Sequence, residues 1–291
     1  MTNIIPRVAA VQDMSGFGRC SLTVIMPILS CMGVQVCPLP TAILSTHSGG
    51  FGEMAFMDLT DGMDLYINHW KKLRLSFDYI YTGFLGNEKQ IDKVVDFCKS
   101  FRDMGTQCIV VDPVMGDHGK LYKTYTKSMQ QKIRSLVELA DIITPNLTEA
   151  MFLLDREYIE KPFTDKEIKE LLVSLAKMGP KTVIITGILD SLNTKVNVAY
   201  DMNQDVFWKV PYQEIEMHYP GTGDVFTSVL IGALIQGDSL PMAIERAASF
   251  VSLAIVTTFG YCTDAKEGIM LEKVLPSLLD KKVKGQYHII K

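Results

Sequence analysis

The stretch Pro220-Gly221-Thr222-Gly223-Asp224-Val225-Phe226 leads directly into an apolar segment of helical length, residues 227–235. Two glycines before a helix let the backbone approach a bulky group, and the unpaired N–H groups at the helix start favour an anion. Asp224 lies in the predicted first turn, where a carboxylate can accept a proton. An anion hole beside a base suits phosphoryl transfer to a hydroxyl group, but an ordinary helix entry fits these seven residues equally well.

The composition predicts a globular protein with a packed core. Of the 291 residues, 47% are hydrophobic and 21% are charged, so we expect a packed core. The net charge of −4 gives no reason to expect nucleic acid or a membrane as a partner. The apolar runs are shorter than the roughly 18 to 20 residues of a membrane span, and residues 1–7 lack a secretory pattern. Six scattered cysteines without CxxC spacing are typical of reduced thiols, which predicts a cytoplasmic location.

Short apolar runs alternate with helical segments along the chain, a pattern that predicts a largely parallel sheet covered by helices. The predicted strands are residues 7–12, 34–39, 41–45, 77–82, 107–111, 141–144 and 181–186, with a hairpin formed by 195–201 and 205–210. The predicted helices, besides the one that opens at Asp224, are residues 20–32, 61–73, 87–104, 126–139, 148–153, 165–178, 241–257 and 267–279. We find no repeat or linker in the sequence and expect one α/β domain over residues 1–291.

Polar residues follow five of the predicted strands, where ligands bind in sheets of this kind. They are Gln12-Asp13, Thr82-Gly83, Asp112-Pro113, Thr144-Pro145-Asn146 and Thr186-Gly187. Asp112 and Asp117 place two carboxylates on one loop, which suits Mg²⁺, although a simple turn explains the same residues. Either Asn146 or Thr148 simply caps the next helix, with Glu149 favoured by the helix dipole, or Asn146 binds a phosphate oxygen and Glu149 acts on a metal through water. Thr186 either donates to a phosphate or merely ends its strand.

The loop Thr46-His47-Ser48-Gly49-Gly50-Phe51-Gly52 contains three glycines, which indicate mobility or a close approach to a ligand. His47 is either a satisfied histidine or, with the hydroxyl groups of Thr46 and Ser48, a contact for a polar small molecule. The sequence contains neither a GxxxxGK[ST] P-loop nor a GxGxxG fingerprint after the first strand. A kinase with this sequence therefore belongs to another architecture.

Taken in order, these motifs resemble those of the ribokinase-like superfamily, in particular its pyridoxal and pyridoxamine kinases. The matching segments are Thr82-Gly83-Phe84, Asp112-Pro113-Val114-Met115-Gly116-Asp117, Ala140-Asp141-Ile142-Ile143-Thr144-Pro145-Asn146-Leu147-Thr148-Glu149-Ala150, Val183-Ile184-Ile185-Thr186 and Gly221-Thr222-Gly223-Asp224. The resemblance implies a doubly wound, mostly parallel α/β sheet with helices on both faces and no separate lid domain. It also implies ATP-dependent phosphorylation of the 5′-hydroxymethyl group of a B6 vitamer, with Mg²⁺, often a monovalent cation such as K⁺, and a homodimer.

The resemblance also implies roles for individual residues. It implies that Asp224 is the catalytic base and that the backbone of Gly221, Thr222 and Gly223 forms the anion hole. The implied residues for nucleotide phosphates and metal are Asp117, Asn146, Glu149 and Thr186, with Asp112 and Thr144 supporting the metal or cation site and Tyr122 in a flap near ATP. The implied substrate-binding residues are Asp13, Ser15, Thr46, His47, Ser48 and Phe84.

Three departures from the pattern of B6 kinases concern the ring of the substrate. Ser48 and Phe84 replace a threonine and a tyrosine, which keeps a hydroxyl group and a ring. The opening Asp13-Met14-Ser15-Gly16-Phe17-Gly18 is nearer the Asp-x-Ser-Gly opening of hydroxymethylpyrimidine kinases of thiamine synthesis than the Ser-His opening of pyridoxal kinases. Asp224 argues in the other direction, because many hydroxymethylpyrimidine kinases carry cysteine there. A B6 kinase is the prediction, and a hydroxymethylpyrimidine kinase is the alternative.

Two further alternatives differ in class from a vitamin kinase. A sugar kinase of this fold usually adds a β-rich lid domain near its N-terminus, and the chain leaves no room for one. A non-catalytic protein that only holds B6 compounds would not need Asp224 together with a complete set of phosphate-binding residues.

Overall fold

The computed structural model describes residues 4–215, 217–280 and 283–291. The strands are β1 (Arg7–Phe17), β2 (Gln35–Thr46), β3 (Phe56–Asp58), β4 (Tyr79–Thr82), β5 (Cys108–Val111), β6 (Gly116–Asp117), β7 (Lys120–Leu121), β8 (Ile142–Ile143), β9 (Thr182–Leu189), β10 (Lys195–Asp201), β11 (Val206–Pro211) and β12 (His288–Ile289). The α-helices are α1 (Leu22–Cys31), α2 (Thr60–Lys72), α3 (Glu88–Asp103), α4 (Lys127–Lys132), α5 (Arg134–Val137), α6 (Leu147–Leu153), α7 (Asp165–Ala176), α8 (Thr222–Ile235), α9 (Leu240–Gly260) and α10 (Leu271–Val274). Two 3₁₀ helices, Ala265–Glu267 and Leu275–Leu279, flank α10.

The central sheet has the strand order β12-β11-β10-β9-β8-β5-β4-β1-β2-β3, and β6 and β7 form a separate hairpin. Its middle strands, from β9 to β2, are parallel, and antiparallel strands extend both edges. The order reverses beside β1, because β2 lies on one side of it and β4, β5, β8 and β9 follow on the other. Such a reversal leaves a crevice at the carboxyl ends of the strands, where ligands bind.

Helices cover both faces of the sheet, as predicted. Alternate residues of β1 point to opposite faces. Val8 and Ala10 belong to a core built with α1, α8 and α9, whereas Ala9 and Val11 belong to a second core built with α2, α3 and α7. The predicted doubly wound, mostly parallel α/β architecture is therefore confirmed.

The helix α9 combines length with an apolar composition. It has 21 residues and a mean hydropathy of 1.4 over its most apolar window, which by these two criteria is enough to cross a membrane. Half of that window is buried, and α9 packs along α8. Its buried Glu245 accepts hydrogen bonds from the backbone N–H groups of residues 284–286, and its buried Arg246 pairs with Asp238. These contacts are those of a core helix, since charged groups are buried only with partners.

The segment predicted as two strands, residues 34–39 and 41–45, is the single strand β2. Pro38 and Pro40 were expected to interrupt it, but both pair with β1 in register. An edge strand tolerates proline because one of its sides needs no hydrogen-bond donor. At these prolines β2 has an open side, since β3 pairs only with residues 42–44.

The first strand also extends further than predicted. The loop expected at residues 13–18 is largely part of β1, which continues to Phe17 and pairs there with Thr46. A bulge between Gln12 and Met14 interrupts the register, and bulges redirect the side chains that follow them. The polar residues after the bulge are therefore presented by a paired strand and not by a free loop.

Two predicted helices are broken in the structure. Residues 126–139 form α4 and α5, with Ile133 between them, and residues 267–279 form α10 between the two 3₁₀ segments. Gly268, with φ of 77°, and Pro276 interrupt the second pattern. The hairpin of β10 and β11 and the cap of α3 by Asn87 are confirmed. The short strands β3, β6, β7 and β12 were not predicted, because two or three residues carry no detectable periodicity.

Candidate active site

Asp224 lies in the first turn of α8 and is only 8% exposed. Its Oδ1 accepts a hydrogen bond from Gln12 Nε2 at 2.6 Å, and its Oδ2 accepts one from the backbone N–H of Ser21 at 2.8 Å. Burial raises the pKa of Asp224 to about 7, the Ser21 bond opposes this, and the neighbouring Asp13 adds to it. A carboxylate held in one orientation with a pKa near neutrality can serve as a general base.

The turn before α8 requires glycine at position 221. Gly221 has φ of 80°, and a Cβ atom there would lie 2.4 Å from the backbone oxygen of Arg19. Thr222 and Gly223 open the helix, which is 14 residues long, and Thr222 Oγ1 donates to the Tyr219 carbonyl at 3.2 Å. The first N–H groups of a helix have no partner within it, so this end attracts an anion. The predicted anion hole and base therefore stand side by side.

Two further buried carboxylates lie beside this helix start. Asp112 follows β5, and its Oδ2 is 3.9 Å from the position that a Cβ atom would take on Gly223. Burial raises the pKa of Asp112 well above its usual range, and the charges of Glu149 and Asp224 raise it further. Burial raises the pKa of Glu149 to about 8, and Asp117 adds to this, whereas backbone N–H donors oppose it. Acidic groups that repel one another in a buried site are stabilised by a cation, and oxygen ligands of this kind fit Mg²⁺.

Asn146 and Glu149 form a capping box at the start of α6. Asn146 Oδ1 accepts from the Glu149 N–H, and Glu149 Oε2 accepts from the Asn146 N–H, both at 2.9 Å. The amide Nδ2 of Asn146 donates to the Gly116 carbonyl at 2.9 Å, which ties α6 to the β6–β7 hairpin. Of the two alternatives for these side chains, the structure shows the cap. Thr186 pairs with Asn146 in an isolated bridge and lies inside β9, so the prediction that its strand ends there is wrong.

The remaining residues predicted for nucleotide and metal lie around these carboxylates. Thr144 Oγ1 is 3.1 Å from Thr227 Oγ1, which joins the end of β8 to α8. Asp117 is about half exposed and accepts from the His118 N–H at 2.8 Å. Partial burial raises the pKa of Tyr122, and so do the charges of Glu149 and Asp117.

Asp13 is a buried acid at the bulge of β1. Its Oδ1 accepts from Ser21 Oγ at 2.6 Å, and its Oδ2 accepts from Ser15 Oγ at 3.2 Å. Burial raises the pKa of Asp13, and the hydrogen bonds from Ser21 and Ser15 oppose this. Because Asp13 also acts on Asp224, the residues predicted for the substrate ring begin next to the base.

His47 has both ring nitrogens engaged within the protein. Its Nδ1 accepts from the Gly49 N–H at 3.0 Å, and its Nε2 lies 2.6 Å from the Lys266 carbonyl. These partners require the neutral tautomer with the proton on Nε2. The satisfied histidine is therefore the alternative that the structure shows. Its ring meets Phe51 edge-on, with ring centres 5.0 Å apart.

The other residues predicted for the ring differ in exposure. Thr46, at the end of β2, is half-buried, Ser48 is exposed, and Phe84 is half-buried after β4. Phe84 follows Gly83, where a Cβ atom would lie 1.9 Å from Gln12 Nε2. Glycine at this position gives the Gln12 side chain the space it needs to reach Asp224.

A profile of the family described as phosphomethylpyrimidine kinase matches residues 73–267. The chain belongs to this kinase family. A Bacteroides thetaiotaomicron protein, solved in an orthorhombic form with pyridoxal, is 49% identical with a TM-score of 0.93, covering 98% of this chain and 100% of that chain. The pyridoxal kinase of Ovis aries is 27% identical over 277 residues, which is 86% of this chain and 83% of that protein. The hydroxymethylpyrimidine/phosphomethylpyrimidine kinase of Haemophilus influenzae is 31% identical over 183 residues, 60% of this chain and 63% of that protein.

These similarities confirm the ribokinase-like fold and the predicted relationship to the pyridoxal kinases. They include kinases of both kinds that the sequence left open, those for pyridoxal and those for hydroxymethylpyrimidine. The kinase chemistry is thus common to the relatives, whereas the ring of the substrate differs among them.

Sequence reasoning missed several residues that surround Asp224. Gln12 and Ser21 fix the carboxylate of Asp224, Cys20 Sγ lies 3.6 Å from it, and Thr227 contacts Thr144. Of these residues, only Gln12 was marked by the sequence, as a polar residue next to Asp13 at the end of a predicted strand. Ser21 acts through its backbone N–H, which no side-chain pattern can reveal.

Proposed function

We propose that this kinase uses one domain, residues 1–291, to transfer the γ-phosphoryl group of ATP to the 5′-hydroxymethyl group of a B6 vitamer, namely pyridoxal, pyridoxamine or pyridoxine. The observation that carries the proposal is the position of Asp224. It is a buried carboxylate with a pKa of about 7, beside the glycine turn that opens α8. A base next to an anion site is the arrangement that phosphoryl transfer to an alcohol needs.

In the proposed reaction, Asp224 accepts the hydroxyl proton as the substrate oxygen attacks the γ-phosphorus in line. The bond from phosphorus to the β,γ-bridging oxygen breaks, and ADP leaves. The N–H groups of Gly221, Thr222 and Gly223 would stabilise the charge on the transferring phosphoryl group. The fixed bonds from Gln12 and Ser21 keep the carboxylate aimed, so no reorganisation is needed during transfer.

The proposed nucleotide residues are Asp117, Tyr122, Asn146 and Thr186, and the proposed metal residues are Asp112, Glu149 and Thr144. Mg²⁺, when bound, would offset the mutual repulsion of the buried acids and the charge of the phosphates. Glu149 already accepts two backbone N–H bonds, from Met115 at 3.1 Å and Asn146 at 2.9 Å, and this holds its carboxylate in place. A monovalent cation such as K⁺ is proposed near Asp112 and Thr144.

The ring of the substrate is proposed to lie against Asp13, Ser15, Thr46, His47, Ser48 and Phe84. His47 would act through its ring and through the loop that it fixes, because both of its nitrogens are already bonded. Loops 49–52 and 116–122 would close over the site and exclude water, which otherwise would consume ATP.

A B6 vitamer is favoured over hydroxymethylpyrimidine by Asp224, where many kinases of the second kind carry cysteine. The relative that is 49% identical was solved with pyridoxal. Hydroxymethylpyrimidine remains the second candidate because of the Asp13-Met14-Ser15-Gly16 opening, whose acid is buried beside the base.

A substrate panel tests the proposal. Purified protein is supplied with ATP, Mg²⁺ and, separately, pyridoxal, pyridoxamine, pyridoxine, hydroxymethylpyrimidine or ribose, and both ADP and the phosphorylated product are measured. We expect the highest kcat/KM with a B6 vitamer. A higher kcat/KM with hydroxymethylpyrimidine would assign that compound as the substrate, and ADP release with none of the five compounds would indicate a binding protein instead of a kinase. We also propose a cytoplasmic homodimer, which light scattering and cell fractionation test.

A further inference from the structure

A cluster at the edge of the cleft has the composition of a transition-metal site. It consists of Asp117, His118 and His218, and one ligand atom of each lies within 4.8 Å of those of the other two. The two imidazole rings meet at 79° with centres 4.8 Å apart, and His118 Nε2 lies 3.7 Å from Asp117 Oδ2. Two imidazoles and one carboxylate suit Zn²⁺, whereas Mg²⁺ prefers oxygen ligands.

We propose that Asp117, His118 and His218 bind one zinc-class ion, which ties the β6–β7 hairpin to the segment that enters the anion hole. This site goes beyond the proposed kinase activity and uses two histidines that have no part in it.

The backbone places the three ligands on two separate parts of the chain. Gly116 pairs with Leu121 and Asp117 with Lys120, so His118 and Gly119 form a two-residue turn, with φ of 47° and 73°. This turn presents Asp117 and His118 at the tip of the hairpin. His218 stands three positions before Gly221. An ion shared by the three side chains therefore bridges the hairpin and the approach to α8.

The geometry is close to what a bound ion needs. Ligand atoms at zinc-bond lengths in a tetrahedral site are about 3.4 Å apart, so the separations of up to 4.8 Å must shorten by at most about 1.4 Å. The side chains of Asp117 and His118 are 47% and 58% exposed, and rotation about their side-chain bonds can supply this movement. Three protein ligands leave the fourth tetrahedral position open for water or for an oxygen of a bound molecule.

Occupation of the site has a consequence for the cleft. Asp117 belongs to the proposed nucleotide set, and its charge acts on the buried Glu149. An ion held by Asp117 offsets that charge and fixes the hairpin that Asn146 ties to α6. We therefore expect excess Zn²⁺ to slow the kinase, and the His218→Ala variant to resist this inhibition.

Direct binding is the decisive test, and it needs neither ATP nor a substrate. Metal-free, full-length protein is titrated with Co²⁺ by absorption spectroscopy and with Zn²⁺ by calorimetry. We expect one ion per chain in the wild type, and affinity at least about tenfold weaker in His118→Ala and in His218→Ala. The control is His69→Ala, which removes an exposed histidine of α2 and should bind like the wild type.

Three outcomes overturn the proposal. They are no Zn²⁺ binding by the wild type, unchanged affinity in the double variant His118→Ala/His218→Ala, and an intense thiolate band in the Co²⁺ spectrum. The last outcome would assign the ion to one of the six free cysteines. Because binding is measured without nucleotide, none of these outcomes bears on the kinase proposal, and failure of the substrate panel leaves the metal site standing.

Discussion

The two ends of the cleft are built in different ways. At the phosphate end, Asp112, Glu149 and Asp224 are at most 8% exposed, and the carboxylates of Glu149 and Asp224 are held by hydrogen bonds from backbone N–H groups. At the ring end, Phe17 is 53% exposed and Ser48 is also exposed, although Asp13 is buried. The loop there is held to residues 264–267 by His47 and by Lys266, whose Nζ lies 5.4 Å from the Phe51 ring centre.

This difference shows where the fold fixes chemistry and where it leaves freedom. Phosphoryl transfer needs charges at set positions, and buried groups bonded to regular backbone cannot move far. A ring held by loop side chains can be exchanged for another ring without disturbing the sheet. The contrast agrees with relatives that share kinase chemistry but differ in the ring they phosphorylate. Changes at the phosphate end should therefore affect turnover, and changes at the ring end should affect selectivity.

The largest effect is expected from Asp224→Asn. The amide keeps the shape of the side chain but cannot accept the proton, so we expect kcat to fall by about 100-fold or more. ATP affinity, measured by calorimetry, should change by less than about threefold, because the base contacts the hydroxyl group and not the nucleotide. Asp92→Asn, on the exposed surface of α3, is the control. Turnover near that of the wild type would remove Asp224 from the role of base.

A similar loss is expected from Gly221→Ala. The new Cβ atom would meet the Arg19 backbone oxygen at 2.4 Å and must displace the anion hole. We expect kcat to fall by about 100-fold, the size seen when a donor to a developing charge is lost. Gly237→Ala is the matched control, because Gly237 has φ of 91° but open space around its Cβ position. Backbone strain from the new side chain is present in both variants and would lower their activities equally. Equal activities of the two variants would therefore contradict the anion-hole assignment.

Asp112→Asn is expected to separate stability from function. The pKa values of Asp112, Glu149 and Asp224 are raised on folding, so the folded state binds their protons more tightly than the unfolded state. The favourable contribution of all three groups to stability is complete below about pH 4, and that of Asp224 and Glu149 is lost as pH rises through about 7 to 8.

Asp112→Asn removes one of the three mutually repelling acids. Without ligands, this variant should be more stable than the wild type at pH 8, and the difference should be smaller at pH 5. Thermal unfolding across this range measures the effect. The same variant should need about tenfold more Mg²⁺ for half-maximal activity. A variant less stable at pH 8, or unchanged in its Mg²⁺ requirement, would show that Asp112 is not part of a repulsive metal site.

The smallest effect on turnover is expected at the ring end, from Asp13→Asn. The charge of Asp13 raises the pKa of Asp224, so its removal should lower that pKa. In the wild type kcat/KM should rise with pH through about 7, as Asp224 loses its proton, and in the variant this rise should occur at lower pH. We also expect the ratio of kcat/KM for pyridoxal and hydroxymethylpyrimidine to change by about tenfold, with kcat on the better substrate within about threefold. A fall in kcat as large as that of Asp224→Asn would contradict the separation of the two ends.

Much of the site followed from the sequence because parallel strands bring their carboxyl ends to one edge. Asp112, Asn146 and Thr186 are far apart in the chain, yet the sequence placed each of them at the carboxyl end of a predicted parallel strand. Gln12 and Ser21 were missed because their roles depend on a bulge and on a backbone N–H. The sequence also could not predict that β2 has an open side at Pro38 and Pro40, because local sequence patterns do not show which strands pair with β2.

The sequence by itself determined the α/β class and marked the glycine turn and Asp224 as candidates for an anion site and a base, because glycine spacing and alternating apolar runs are local properties. Only the tertiary structure decided that Asp224 is held by Gln12 and Ser21, that Asp112 and Glu149 share its buried surroundings, and that His47 is bonded on both sides. Hydrogen-bond partners and raised pKa values arise from groups distant in sequence that burial places in contact. The stretch 220–226 thus supplies a glycine turn and an acid at a helix start, and the packing around it sets the charge and orientation of the Asp224 carboxylate.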